Sequence, residues 1–154
     1  MSDFSQSYST EIAGSLDDCF AVLTDFDAYP AWSGPVKECR IVDRHPDGLA
    51  RRVAFTLDMT LKTVHYVLEY TWEPPHGGRW RLDESDDVKD VNGRYRFEPA
   101  GDGRTRATCE QAVDIGFWVP GPIRRPFEQK ALRDSVEEFK RAVEARTRRS
   151  RPRR

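Results

Sequence analysis

Two stretches in the middle of the chain place an apolar side chain at every second position. Val53, Phe55, Leu57, Met59 and Leu61 alternate with Ala54, Thr56, Asp58 and Thr60, and Val64, Tyr66, Leu68, Tyr70 and Trp72 alternate with His65, Val67, Glu69 and Thr71. A period of two belongs to an extended strand with one buried face and one wet face, because successive side chains leave a strand on opposite sides. Turn signals separate these runs from each other and from similar ones on either side. Val36–Arg44 ends at the turn His45-Pro46-Asp47-Gly48, and the run through Trp72 ends at Pro74-Pro75 and Gly77-Gly78. Trp80 and Leu82 mark the next strand. Val91, Tyr95 and Phe97 mark another before the turn at 100–103, and Ala107, Cys109, Gln111, Val113 and Ile115 mark the last. With a first strand through Phe4, Tyr8 and Ile12, the pattern predicts a meander of seven antiparallel strands.

From Ile123 the period becomes helical. Phe127, Ala131, Leu132, Val136, Phe139 and Val143 fall on one side, with Arg, Lys and Glu on the other, which predicts one long amphipathic helix over 123–145. Its apolar stripe has no second long helix to pack on, so it is expected on the concave face of the sheet. Between strands one and two, Ser15 has the form of an N-cap followed by Asp17 and Asp18 in the first turn of a short helix. Phe26, Tyr29 and Trp32 then recur every three residues in a second short helical piece carrying Pro30 and ending at Ser33-Gly34-Pro35. The expected class is α+β: a seven-stranded curved antiparallel sheet wrapped around a long C-terminal helix, with two short helices between strands one and two.

With 154 residues the chain is the size of one domain, and 38% hydrophobic with 33% charged residues excludes a disordered chain or a fibre. No apolar run approaches the roughly 20 residues of a membrane span, and the start MSDFSQSYS lacks the parts of a signal peptide, so a cytoplasmic location is expected. Cys19, Cys39 and Cys109 are too few and too widely spaced for a disulfide framework or a zinc site and read as small buried residues. The net charge of −1 hides an asymmetry: residues 1–122 carry 13 basic and 21 acidic side chains, and residues 123–154 carry 12 and 5. The expected division is a domain over 1–146 and a basic, disordered tail over 147–154, where no apolar residue anchors a continued helix. That tail reads as a solvated end, with weak contact to an anionic membrane as the alternative.

The order of elements, and the stretches CFAVLTDFDAYPAWSGPVKECRIV at 19–42, YVLEYTWEPP at 66–75 and VNGRYRFEPAGDGRTRATCEQAVDI at 91–115, resemble the START-like helix-grip (SRPBCC) superfamily. Within it, the similarity is to the bacterial polyketide cyclase/dehydrase and lipid-transport branch, which includes coenzyme Q-binding-like proteins. These stretches are fold markers and carry no catalytic signature. The resemblance implies a cavity between helix and sheet that takes a lipid, quinone or polyketide, and in some members cyclises a polyketide there.

The residues themselves offer limited chemistry. His45 and His76 fall in turns and His65 on the outer face of its strand, so no three or four ligands converge for a metal. No nucleophile elbow, phosphate loop or dinucleotide fingerprint occurs, and no cofactor is expected. Asp83, Glu84, Asp86, Asp87 and Asp90 lack the calcium-loop spacing and read as a solvated hairpin tip. Arg81, Arg94, Arg96, Arg104 and Arg106 alternate with the apolar set and are expected on the outer face, paired with Asp83, Glu98, Glu110 and Asp114. The acidic body argues against nucleic acid as a partner.

What remains is the apolar face. Tyr66, Tyr70, Tyr95 and Gln111 bring polar tips to it, suited to a ligand carbonyl, although each phenol could equally meet a backbone carbonyl or the surface. The expected ligand-binding set is Trp32, Phe55, Leu57, Tyr66, Leu68, Tyr70, Tyr95, Gln111, Phe127, Ala131 and Ser135. Trp32, Phe26 and Tyr29, with Phe117 and Trp118, form either an aromatic rim to an entrance or ordinary core. The sequence names no catalytic residue. Two functions fit: binding or transport of a small hydrophobic molecule, and polyketide cyclisation with dehydration. The inward positions hold no His or carboxylate to act as a base, which favours binding.

Overall fold

The computed structural model describes residues 4, 6–60, 62–114 and 121–150. Strand β1 (Gln6–Ile12) leads into helix α1 (Leu16–Thr24), a single 3-10 turn (Phe26–Ala28) and helix α2 (Tyr29–Trp32). Six strands follow: β2 (Val36–Arg44), β3 (Ala50–Asp58), β4 (Thr63–Glu73), β5 (Gly77–Glu84), β6 (Asp90–Pro99) and β7 (Thr105–Asp114). Helix α3 (Gly121–Ser150) comes last. Every strand pair is antiparallel, in the order β1-β7-β6-β5-β4-β3-β2, so the meander and the return of β1 beside β7 make one seven-stranded sheet.

Burial follows the period of two. In β4, Val64, Leu68 and Tyr70 are buried while Thr63, His65 and Thr71 are exposed. The sheet is curved. Register shifts in β2 against β3, at Val36/Glu38, Ile41/Asp43 and Asp43/Arg44, and in β4 against β5 at Val67/Leu68 are the irregularities that bend strands and increase twist. Glycines allow two tryptophans to lie flat on the inner face: a Cβ on Gly93 would stand 2.5 Å from the Trp80 ring, and one on Gly78 2.4 Å from Trp72.

Helix α3 lies on the same face. Leu132, Val136, Phe139 and Val143 are buried, and the Phe139 ring stacks on Phe97 at 5.8 Å and meets Tyr95 at 4.9 Å. Ser15 caps α1 by accepting from the Asp18 N–H at 3.0 Å, as its sequence context predicts. On the outer face the arginines form the expected ladder, with some unexpected partners. Arg94 and Arg96 reach Glu110, Arg81 reaches Glu69, and Arg104 and Arg106 both reach Glu11 across β1. The acidic tip is organised by His65, whose N–H donates to Asp87 at 2.8 Å, and by Lys62.

Two expectations are corrected. Phe4 does not extend β1 inward; its ring lies under the guanidinium groups of Arg79 and Arg94, at 5.8 and 5.3 Å, on the arginine face of the sheet. Cation–π attraction to that ladder competes with burial at the very edge of the strand. Helix α3 also continues past Ala145 to Ser150, across the expected boundary between 146 and 147. The last turns are held by polar contacts and need no further apolar stripe. Asp18 accepts from Thr147 Oγ1 at 2.7 Å and from Arg146 Nε at 3.3 Å, and Thr147 packs over Gly14. Leu61, Ile115, Phe117, Trp118 and residues 151–154 lie outside the described residues.

Candidate functional site

The two halves of α3 meet the sheet differently. Toward the C-terminus, Val136, Phe139 and Val143 fill the interface. One to three turns earlier, Ala131 and Ser135 present short side chains where larger ones would reach the sheet, and a pocket of about 440 Å³ opens beneath them. All eleven residues expected to bind a ligand border it. Trp32 comes from α2, Phe55 and Leu57 from β3, and Tyr66, Leu68 and Tyr70 from β4. Tyr95 comes from β6, Gln111 from β7, and Phe127, Ala131 and Ser135 from α3. Period and topology together brought these positions into one place, since apart from Trp32 on α2 each is an inward position of a strand or a position of α3 beside the pocket.

The aromatic rim resolves into two groups. Tyr29 and Trp32 border the pocket. Phe26 is buried in the core, 4.9 Å from Tyr29, 5.1 Å from Tyr70 and 6.1 Å from Phe55 between ring centres, and does not border it. Sequence reasoning missed Leu23, Trp80, Val88 and Val91 as further apolar wall. It also missed the charged side chains Asp58, Lys130, Asp134 and Glu138. Asp58 sits on the outward beat of its strand and the other three on the polar side of the helical pattern, so only the open end of the pocket explains their presence.

Polar groups in the wall divide by whether the protein itself occupies them. The Tyr29 hydroxyl donates to the Leu23 carbonyl, which makes Tyr29 a structural tyrosine. Tyr66, Tyr70 and Tyr95 differ: among the described residues no hydrogen-bond partner faces their hydroxyls, and Tyr70 and Tyr95 are only 4% and 8% exposed. The three line the pocket, and a bound molecule that covered their hydroxyls without accepting a hydrogen bond would leave each unsatisfied at a cost on the order of 1–3 kcal/mol, so together they mark a surface suited to a polar atom of a bound molecule. The indole N–H of Trp32, which also borders the pocket, is a buried donor without a partner among the described residues. Burial raises the pKa of all three phenols far above the ordinary tyrosine value. They are therefore hydrogen-bond donors throughout the physiological range and do not act as bases.

The remaining nucleophiles are quiet. Burial pushes the thiols of Cys19 and Cys39 up to about 12 and that of Cys109 up as well, so all three stay protonated at neutral pH. The histidines are engaged elsewhere. His45 Nε2 meets the Tyr70 carbonyl at 2.7 Å, His65 Nδ1 meets Thr56 Oγ1 at 3.1 Å, and His76 Nδ1 faces the Phe97 carbonyl at 3.4 Å. Among the described residues no cluster of three His, Cys, Asp or Glu side chains is placed to hold a metal ion. No described helix is long and apolar enough to cross a membrane.

A curved sheet gripping one long helix over a pocket is the architecture of START-like proteins. The chain belongs to the polyketide cyclase / dehydrase and lipid transport family, which matches residues 3–148. Solved structures share the fold at low identity. A START superfamily protein from Mycobacterium smegmatis superposes with a TM-score of 0.77 at 22% identity, covering 94% of this chain and 97% of that one. A Thermus thermophilus protein gives 0.77 at 18%, covering 95% and 98%. The Zhui aromatase/cyclase of a Streptomyces species gives 0.72 at 15%, covering 94% and 93%. Sequence comparison with curated proteins finds no match.

Proposed function

We propose that this protein binds a small, largely apolar molecule of the lipid, quinone or polyketide type in the pocket between α3 and the sheet, working in the cytoplasm as a carrier or receptor. One observation carries the reading: three phenols stand on a largely apolar wall with no described protein partner for their hydroxyls. Desolvation of the ligand's apolar body supplies affinity, and one or two phenol donors to a carbonyl or hydroxyl oxygen supply orientation. The volume of about 440 Å³ falls in the range of small-molecule sites.

The second reading is cyclisation of a polyketide chain. It is supported by the family and by the same phenols, which can polarise carbonyls during aldol condensation. Its proton acceptor would then be one of the carboxylates bordering the pocket, Asp58, Asp134 or Glu138, because the phenols stay protonated.

Native mass spectrometry of the protein purified from its own host is the direct test. A stoichiometric mass excess that vanishes in Ala131→Trp, which fills the pocket from the helix side, supports binding. Protein that carries no small molecule and does not bind N-phenylnaphthylamine, an uncharged fluorescent probe of apolar sites, refutes it. Conversion of a poly-β-ketone thioester to a cyclic product by the intact protein, lost in a carboxylate variant, would favour the second reading.

A further inference from the structure

The charges around the pocket restrict what enters it. Among the described residues, Asp58, Lys130, Asp134 and Glu138 are the acids and bases that border it, apart from the phenols and Gln111. Asp58 and Lys130 are exposed and Asp134 and Glu138 half-exposed, whereas Leu68, Tyr70 and Tyr95 are buried. The charges therefore stand at the mouth and the uncharged polar groups in the interior.

The one ammonium at the mouth among the described residues is already committed. Lys130 Nζ is ion-paired to Asp134, four residues on along α3. Glu138 accepts from the Gly34 N–H at 3.1 Å and Asp58 from the Thr60 N–H at 3.0 Å, both neutral donors, and the cation nearest Asp58 among its ion pairs is Lys37 at 3.9 Å. An incoming anion meets carboxylates at the mouth and, further in, loses its water with no cation among the described lining residues to pair with. Both effects penalise it, the second severely. A neutral oxygen loses little water and gains a phenol hydrogen bond.

Building on the proposed binding role, we infer that the pocket selects uncharged oxygen-bearing apolar molecules, such as alcohols, ketones and quinone-type carbonyls. It rejects the same skeletons when they end in a carboxylate or phosphate.

Displacement of N-phenylnaphthylamine by decanol and by decanoate at neutral pH tests the inference, since the two competitors share a chain and differ in charge. Decanoate should compete at least about tenfold more weakly than decanol. Asp134→Asn releases the Lys130 ammonium and Glu138→Gln removes a mouth carboxylate, so each should narrow that ratio to about threefold or less. A urea midpoint for each variant confirms the fold. Equal competition by the two compounds in the wild-type protein overturns the charge selection while leaving the pocket in place. An unchanged ratio in both variants overturns its assignment to the mouth. Failure of the probe to bind overturns the pocket reading and this inference together.

Discussion

Replacing Gly93 by Ala tests whether the sheet's curvature and the pocket depend on the same contact. Gly93 on β6 lies directly opposite Trp80 on β5, and a Cβ there would stand 2.5 Å from Cε2 and Cζ2 of the indole. Carbon atoms normally settle at about 3.5–4.0 Å, so the ring must move by about 1 Å. It has little room, being 8% exposed and held between Tyr70 and Tyr95 with ring centres 6.0 and 5.9 Å away. Overpacking of this kind costs about 1–3 kcal/mol, offset by about 0.5 kcal/mol from replacing a strand glycine. A net loss of about 1.5 kcal/mol lowers the melting temperature of a domain this size by about 5 °C. Because Trp80 borders the pocket, affinity for N-phenylnaphthylamine falls too. Trp80→Phe shortens the ring and removes the clash, so the double variant should be more stable than the two single losses predict by about 1 kcal/mol. Urea unfolding of the four proteins measures this. Strictly additive single and double variants, or Gly93→Ala with wild-type stability, would show that the contact is not what shapes this part of the sheet.

Further outcomes follow from other contacts. Tyr66→Phe, Tyr70→Phe and Tyr95→Phe keep the ring and remove an oxygen with no described partner, so stability holds or rises while affinity for a carbonyl ligand drops by about 1 kcal/mol in at least one variant; calorimetry on the co-purified ligand decides, and equal affinity in all three would make the phenols structural. Thr147→Val removes the hydroxyl donor to Asp18 and should cost about 1 kcal/mol; an unchanged urea midpoint would make the last turns of α3 ornamental. Asp43, held low by its hydrogen bonds to Arg52 and Arg51, and Glu69, held low chiefly by Arg81, have folded-state pKa values below their unfolded ones. Their contribution is full above the ordinary carboxylate range and is lost as pH falls, so the urea midpoint should be flat above about pH 5 and decline below about pH 4. A midpoint that rises on acidification would contradict that sign.

The strands were legible because period two survives in almost every one of them, and the topology followed from the turn residues between them. The eleven positions around the pocket were legible for the same reason, since burying one face of each strand against one face of a helix leaves few places for them to go. Phe4 was not legible, because a strand end can satisfy an aromatic ring either inward or against an arginine ladder. Neither were the last turns of α3. A stripe of apolar residues is a sufficient anchor for a helix but not a necessary one, and Asp18 lies 128 positions away from Arg146 in the chain, a separation at which no local pattern registers.

The charge sorting on α3 was invisible in the sequence for a related reason, and it bears on how the pocket is kept open. Written out, the helix mixes acids and bases. In the fold its glutamates turn toward the domain: Glu128 accepts from Gln6, Glu137 from the Tyr8 hydroxyl, Glu138 from the Gly34 N–H and Glu144 from the Ala13 N–H. Arg125, Arg133, Arg141, Arg148 and Arg149 are exposed. The carboxylates fasten the helix along its length to β1 and the loops around it, so the helix needs no apolar packing at Ala131 and Ser135 to stay in place. Ser135→Leu should then stabilise the protein, by about 1 kcal/mol for the apolar area it buries, while excluding N-phenylnaphthylamine. Stability that falls together with binding would mean that the space beneath Ser135 is packed in solution and that the helix, not the ligand, claims it.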